Sequence, residues 1–252
     1  MQLHYKMFGQ GRAVMLLHGL LGSSDNWHPL ALRLAASFQV FALDLRNHGR
    51  SPHALEMDYS LMAGDVEEFL VEHRIANVMV IGHSMGGKTA MQFALQFPHR
   101  VDKLVVADMA PRAYAPVHHK IFNALLALDL SAFSTRMEME AALALDIPDL
   151  ALRRFLLKNL GRDAAGGYSW RIPLRALSQN YPQLCKPIGA ERPFAKPALF
   201  LRGGRSNYVN AGDAGLIHEL FPRAEMQTIQ EAGHWIHGDQ PEEVFRQLIA
   251  FL

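Results

Sequence analysis

Apolar runs and stretches of helical periodicity alternate along residues 1–110 of the chain. Five runs have the length and composition of strands, and they lie at residues 3–8, 13–17, 39–43, 78–81 and 103–107. The first run alternates apolar and polar positions, which predicts an edge strand, whereas the later ones are mostly continuous, which predicts strands buried on both faces. Because helical patterns separate the runs and no hairpin signal follows residue 13, we expect an α/β fold with a mostly parallel, doubly wound sheet.

The alternation stops after residue 111 and resumes after residue 196. Between these points the sequence predicts no buried strand but three helices, at residues 117–130, 134–145 and 150–160. The resumed pattern predicts strands at 198–201 and 225–229 and helices at 211–221 and 241–252. We therefore predict a core of residues 1–112 and 197–252 and a helical cap of residues 113–196, inserted between the sixth and seventh core strands.

One predicted strand runs directly into a helix through Gly82-His83-Ser84-Met85-Gly86. Such a strand–turn–helix places the serine on a sharp, strained bend, where glycines on either side avoid collisions with neighbouring elements. The bend exposes the hydroxyl at the carboxyl edge of the sheet, where sites form in this architecture. We predict that Ser84 is a nucleophile; the alternative is a glycine-rich turn that only packs.

A serine hydroxyl needs a base within hydrogen-bond reach, and the chain has 13 histidines. His234 follows the last predicted strand and therefore lies on the same sheet edge, so we predict that it is the base. His237 is the nearest rival, expected on the next helical turn. His18 and His48 belong to glycine-containing loops and are interpreted as structural.

The base in turn needs a carboxylate, and the chain order in this architecture is Ser, then Asp or Glu, then His. The loop after residue 201 holds no carboxylate before Asp213, whereas Asp108 directly follows the strand at 103–107. We predict that Asp108 is the acid; the alternative is a turn-capping role. Ser206 occupies the vacated position, either hydrogen-bonded to Asp108 or His234, or only as a turn residue.

The remaining site predictions concern the oxyanion and the acyl group. Backbone N–H groups of Met85 and Leu20 are expected to bind the oxyanion. Three aromatic residues are predicted to shape an apolar acyl pocket, although each could equally belong to the core: Trp27, Tyr208 and Trp235. Asp44 and Arg46 are interpreted as a loop-bracing ion pair rather than a catalytic one.

Composition narrows the function classes. Half of the 252 residues are hydrophobic, the formal net charge is +1 and the charges are interspersed. Neither a nucleic-acid partner nor stable membrane insertion is therefore expected. The single cysteine excludes an internal disulfide, and the absence of a secretory pattern predicts a cytoplasmic protein. The predicted chemistry requires no metal and no cofactor.

Five motifs occur in order along the chain. They are His-Gly-Leu-Leu-Gly-Ser (18–23), Asp-x-Arg-Asn-His-Gly-x-Ser-Pro (44–52), Gly-His-Ser-Met-Gly-Gly-Lys (82–88), Gly-Gly-x-Ser-x-Tyr-Val (203–209) and Gly-His-Trp-x-His (233–237). Together they resemble the α/β-hydrolase superfamily and, within it, the YbfF-type esterases. The resemblance implies nucleophile Ser84, acid Asp108 and base His234, with Ser206 near the acid–base pair. It also implies hydrolysis of short acyl esters and of acyl thioesters such as acyl-CoA.

We therefore expect a serine carboxylesterase that acts on small or short-to-medium acyl esters, with acyl thioesters as further substrates, through an acyl-enzyme. Two alternatives stay open. One is other chemistry on the same scaffold, such as carbon–carbon bond hydrolysis, a lyase step or perhydrolysis. The other is a ligand receptor that keeps the triad with negligible turnover. Dehalogenase and epoxide hydrolase chemistry is disfavoured, because it places an aspartate where Ser84 stands.

Overall fold

The computed structural model describes all 252 residues, and its centre is a seven-stranded sheet. In spatial order its strands, numbered along the chain, are β1 (Tyr5–Phe8), β3 (Gln39–Leu43), β2 (Ala13–Leu17), β4 (Val78–His83), β5 (Val101–Ala107), β8 (Ala198–Gly203) and β9 (Ala224–Ile229). β1 pairs antiparallel with β3, and every other neighbouring pair is parallel. The predicted mostly parallel sheet is therefore confirmed.

Helices flank this sheet and bury its two faces. Those of the core are α1 (His28–Leu34), α2 (Tyr59–Glu72), α3 (Met85–Gln96), α8 (Ala214–Leu220), α9 (Ile236–Asp239) and α10 (Pro241–Phe251). Successive strand residues point to opposite faces, and in β4 Val78 and Val80 join one buried apolar cluster while Met79 and Ile81 join another. Full burial of one such side chain contributes about 1.5–3 kcal/mol, so both faces of the sheet fix the position of β4.

Helix α2 begins earlier than the sequence pattern predicts. The amphipathic pattern of residues 60–73 predicts a helix with Ser60 as its N-cap. In the structure Asp58 fills that role, because its side chain accepts a hydrogen bond from the Leu61 N–H at 2.7 Å. Both residue types are favoured as N-caps. The pattern of apolar positions alone does not separate two capping residues so close together.

The chain between β5 and β8 forms a separate group of elements: α4 (His119–Ala127), α5 (Arg136–Ala142), α6 (Leu150–Leu156), the antiparallel pair β6 (Leu160–Arg162) and β7 (Tyr168–Trp170), and α7 (Leu174–Leu184). This insertion follows the fifth strand of the sheet rather than the sixth as predicted, because only β8 and β9 come after it. The hairpin was missed, since strands of three residues are too short to show a periodicity. The division at residues 113 and 196 stays a prediction.

The inserted elements pack onto the core through apolar side chains. Phe122 of α4, Leu156 of α6 and Leu177 of α7 are buried in one cluster with Met85 and Met109, which stand just beyond the ends of β4 and β5. The insertion therefore covers the edge of the sheet that carries Ser84. None of the helices combines the length and apolarity that crossing a bilayer requires.

Candidate active site

Ser84 stands between the end of β4 and the first residue of α3, with φ 54° and ψ −118°. A Cβ on Gly82 would lie 2.1 Å from the carbonyl oxygen of Gly86, and a Cβ on Gly86 would lie 2.2 Å from the carbonyl oxygen of Leu17. Both positions therefore require glycine. The positive φ of Ser84 costs about 1–3 kcal/mol, which the packing of strand and helix on either side offsets.

Three side chains from separate loops form a hydrogen-bonded chain. The Ser84 hydroxyl lies 3.0 Å from His234 Nε2, and His234 Nδ1 lies 2.8 Å from Asp108 Oδ2. An ionised carboxylate only accepts hydrogen bonds, so His234 Nδ1–H donates to Asp108 and the unprotonated Nε2 accepts from Ser84. The structure thus brings together the three residues predicted as nucleophile, base and acid.

Asp108 is wholly buried directly after β5, in a left-handed conformation with φ 49° that aspartate tolerates better than most residues. Its N–H donates to the carbonyl of Leu201 at 2.7 Å, and its Oδ1 accepts from the N–H of Gly203 at 2.9 Å. Ser206 donates a short hydrogen bond to Oδ2, the oxygen that also faces His234. Ser206 is therefore hydrogen-bonded to Asp108 rather than to His234.

The ring of His234 is held from both sides. Tyr208 stacks on it with ring centroids 3.7 Å apart and an interplanar angle of 16°. His83 lies 4.7 Å away on another side, and its ring N–H donates to the carbonyl oxygen of His234 at 2.8 Å. Burial lowers the pKa of His83 well below its usual range and raises the pKa of Tyr208, so both flanking groups are uncharged at neutral pH.

The other candidate histidines do not contact Ser84. His237 is half-buried between Trp27, on which it stacks at 4.4 Å, and His83, and the loss of solvent around the ring lowers its pKa to about 4. His18 Nε2 accepts from the Leu45 N–H and His48 Nε2 accepts from the Leu21 N–H, both at 3.0 Å. Both rings thus brace backbone, as interpreted from the sequence.

A cavity of about 500 Å³ opens beside Ser84, and most of its lining residues are hydrophobic. Tyr208 lines it as predicted. Trp27 does not, because it is buried with α1 on the other face of the sheet, and Trp235 instead packs against Phe155 of α6 at 5.4 Å. Neither tryptophan therefore lines the cavity, contrary to the prediction.

Most of the cavity wall was not predicted. Its aromatic and apolar surface comes from Tyr59, Tyr114, Val117, Tyr181 and Leu184, which are spread over the core and the insertion. No motif marks these positions. Only the amphipathic pattern of the helices that carry some of them was visible in the sequence.

Leu20 and Met85, the predicted oxyanion donors, both line the same cavity. Met85 is the first residue of α3, and the N–H groups of a first helical turn have no acceptor within the helix. A Cβ on Gly19 would lie 3.4 Å from Ser84 Cβ, so the loop carrying Leu20 passes directly over the serine. The two amides thus flank Ser84 from different loops.

Lys88 is a further cavity residue that sequence analysis missed. It lies one helical turn after Ser84 and is wholly buried. Its ammonium donates to the carbonyl of Lys186 at 2.5 Å and lies 5.0 Å from the ring centre of Tyr114, with no carboxylate as partner. Burial lowers the pKa of Lys88 to about 8. The sequence signal that could have indicated this residue is a single lysine, after two glycines, in an otherwise apolar helical turn.

The expected ion pair of Asp44 with Arg46 also needs correction. Arg46 pairs with Asp65 of α2 at 2.5 Å rather than with Asp44. Asp44 instead accepts from the N–H groups of Ser24 at 2.6 Å and Arg50 at 2.9 Å, so the two residues brace their loop separately. The Arg46–Asp65 pair could not be predicted from the sequence, because it depends on how the loop packs against α2.

Asp213, the alternative acid, is an ion-pair partner of Arg112, with Oδ1 2.9 Å from Nε. Its Oδ2 accepts from the N–H of Asn210 at 2.9 Å, which closes the capping box of the short 3-10 turn before α8, and it forms no hydrogen bond with His234.

The chain is similar to known proteins over nearly its whole length. A family model described as alpha/beta hydrolase fold matches residues 12–241. Mouse sn-1-specific diacylglycerol lipase ABHD11 is 36% identical over 248 residues, covering 95% of this chain and 80% of the mouse protein. Esterase YbfF of Escherichia coli is 36% identical over 242 residues, covering 95% and 92%. A solved structure, a marine microorganism esterase, is 43% identical with a TM-score of 0.97, covering 100% of this chain and 99% of that chain.

Proposed function

Because this chain belongs to the alpha/beta-hydrolase family and is a hydrolase that acts on ester bonds, we propose that it is a serine carboxylesterase with nucleophile Ser84, base His234 and acid Asp108. The observation that carries the proposal is the unbroken hydrogen-bond chain from the serine hydroxyl through the imidazole to a buried carboxylate, at 3.0 and 2.8 Å. Substrates are small or short-to-medium acyl esters, with acyl thioesters such as acyl-CoA as further candidates.

Acylation begins when His234 Nε2 takes the proton of the Ser84 hydroxyl as the oxygen attacks the ester carbonyl carbon. The N–H groups of Leu20 and Met85 bind the oxyanion, and the N-terminal end of α3 adds its favourable dipole. When the tetrahedral intermediate collapses, the bond to the leaving oxygen or sulfur breaks. His234 then donates its Nε2 proton to the leaving alcohol or thiol.

Deacylation repeats these steps with water. His234 Nε2 removes a proton from water, the hydroxide adds to the acyl carbonyl, and the Ser84 oxygen leaves with the proton that His234 returns. Throughout, Asp108 keeps the imidazole in the tautomer that presents Nε2 to Ser84. Its carboxylate is fixed by Gly203 and Ser206, so it does not have to reorganise as the imidazolium forms.

The cavity supports the substrate class. At about 500 Å³ it lies in the usual range for small-molecule sites, and its largely apolar wall suits an acyl chain better than a polar group. Tyr208 contacts both the cavity and the proposed base, because it lines the cavity and its ring stacks on His234. A cytoplasmic location stays a prediction.

The test is a panel of p-nitrophenyl esters from acetate to palmitate and of acyl-CoAs of graded length. We expect the highest kcat/KM from butyrate to octanoate. Ser84→Ala should reduce turnover by roughly a million-fold, whereas Ser134→Ala, on the exposed surface of the insertion, should match the parent. One product equivalent without steady-state turnover would indicate a receptor. Activity of Ser84→Ala within tenfold of the parent would remove Ser84 as nucleophile.

A further inference from the structure

A second cavity, of about 250 Å³, lies where the insertion meets the loops that follow β2 and β3. The core contributes loop residues 21–26 together with Asp44 and Arg50. The insertion contributes Arg136, Lys158 and Arg171. We refer to this cavity as the basic cleft. It is lined almost entirely by polar residues and is therefore suited to a polar ligand, unlike the apolar cavity beside Ser84, which we refer to as the acyl cavity.

The basic cleft concentrates positive charge in a chain whose formal net charge is only +1. Arg50, Arg136, Lys158 and Arg171 are exposed, and none of them forms an ion pair. The carboxylates of the cleft are already engaged: Asp25 pairs with Lys6, and Asp44 accepts from the Ser24 and Arg50 N–H groups and from the His4 ring. Four cations are therefore available to an anion from solution.

The basic cleft adjoins two segments that also reach the candidate active site. Leu21 lines it, whereas the preceding Leu20, whose N–H is a proposed oxyanion donor, lines the acyl cavity. Phe155 on the other wall packs against Trp235, the residue after His234. Buried Asn159 fixes this arrangement by donating to the Leu21 carbonyl at 2.8 Å. The two cavities therefore extend from opposite sides of the loop at residues 20–21.

We propose that the basic cleft binds a phosphate group on the alcohol or thiol leaving group, while the acyl chain occupies the apolar cavity. This inference rests on the proposed esterase function. Guanidinium groups match phosphate oxygens with paired hydrogen bonds, and an ammonium adds a point charge. With a neutral alcohol these exposed cations keep water as their main partner, and Arg136 also donates to the Leu160 carbonyl at 3.4 Å. A phosphomonoester or diphosphate instead offers charged oxygens to several of them at once.

The test compares substrate pairs that differ in phosphate but share the reacting bond. S-butyryl-4′-phosphopantetheine is paired with S-butyrylpantetheine, and 1-butyrylglycerol 3-phosphate with 1-butyrylglycerol. We expect the phosphorylated member of at least one pair to have a kcat/KM higher by about 10- to 100-fold at low salt, the size of one charge-assisted hydrogen bond. Preference within the first pair only would assign a coenzyme-type thiol, and within the second only a phosphorylated glycerol.

Arg136→Glu/Lys158→Glu should abolish this preference and leave hydrolysis of p-nitrophenyl butyrate within threefold of the parent. Arg175→Glu/Arg192→Glu is the matched control, because it makes the same change in net charge at exposed positions outside the basic cleft. Equal kcat/KM values within both pairs, or equal losses in the two double variants, would overturn the inference while p-nitrophenyl ester hydrolysis persists. Failure of the parent to hydrolyse p-nitrophenyl esters would instead overturn the proposed function.

Discussion

The hydroxyl of Ser206 donates directly to the carboxylate of Asp108, although the two residues are 98 positions apart. They meet because β5 and β8 are adjacent parallel strands whose carboxyl ends carry the two loops. The oxygen that Ser206 contacts is Oδ2, which also accepts from His234. Ser206 thus contacts the proposed base only through the proposed acid, and we propose that it is a positioning residue.

Ser206→Ala should therefore lower kcat by about tenfold with little change in KM, because one neutral-to-charged hydrogen bond that orients the carboxylate is lost. Steady-state kinetics with p-nitrophenyl butyrate measures both parameters. Ser206→Thr, which retains the hydroxyl, should recover most of the loss. A purely structural turn residue would leave kcat unchanged, and that result would contradict the positioning role.

Asp108→Asn should lower kcat on the order of ten-thousand-fold, since an amide at this place favours the wrong imidazole tautomer. Asp213→Asn is the comparison, because Asp213 contacts Arg112 rather than His234. It should change kcat by less than tenfold, with any larger effect confined to thermal stability. If the two variants ranked the other way, the acid would have to be assigned to Asp213.

The grouping of the three residues proposed for catalysis was predictable, because the sequence pattern indicates where the strands end. In a parallel sheet, the residues that directly follow buried strands share one edge, and this alone collects Ser84, Asp108 and His234. The pairing of Ser206 with Asp108 rather than His234 was not predictable, because both lie on that edge. Whether Asp108 or His234 accepts the Ser206 hydrogen bond depends on the register of β8 against its neighbouring strands.

The walls of the acyl cavity were not predictable for a related reason. Trp27 and Trp235 stand next to motifs and have the size of pocket residues, but burial of Trp27 depends on how α1 packs, which no local pattern specifies. Conversely, Tyr59 and Tyr181 lie far from any motif and reach the cavity through the packing of α2 and α7. Local sequence thus gave the chemistry, and tertiary packing gave the shape of the pocket.

Gly82→Ala should destabilise the fold by several kcal/mol, because the new Cβ would lie 2.1 Å from the backbone oxygen of Gly86 where strand and helix meet. Overpacking of this kind typically costs about 1–3 kcal/mol or more. Gly64→Ala is the matched control, since nothing lies within 4 Å of its Cβ in helix α2. That variant should be more stable than the parent by about 0.5–1 kcal/mol. Urea unfolding at neutral pH measures both, and equal effects would contradict the steric requirement.

Lys88 makes stability depend on pH in a window that its pKa defines. Burial lowers that pKa from 10.5 to about 8 in the folded protein, so below pH 8 the folded state bears the full cost of a buried ammonium. Between pH 8 and 10.5 the unfolded chain holds more protons at this residue, and the free energy of unfolding therefore rises with pH.

Lys88→Met, which keeps an unbranched side chain one atom shorter and removes the charge, should lack this rise. The stability of Lys88→Met relative to the parent should thus fall by on the order of 3 kcal/mol between pH 7 and pH 10.5. Urea unfolding of both proteins across this range measures the difference and cancels the titration of the tyrosines they share. A difference that stays constant with pH would contradict a lowered pKa at Lys88.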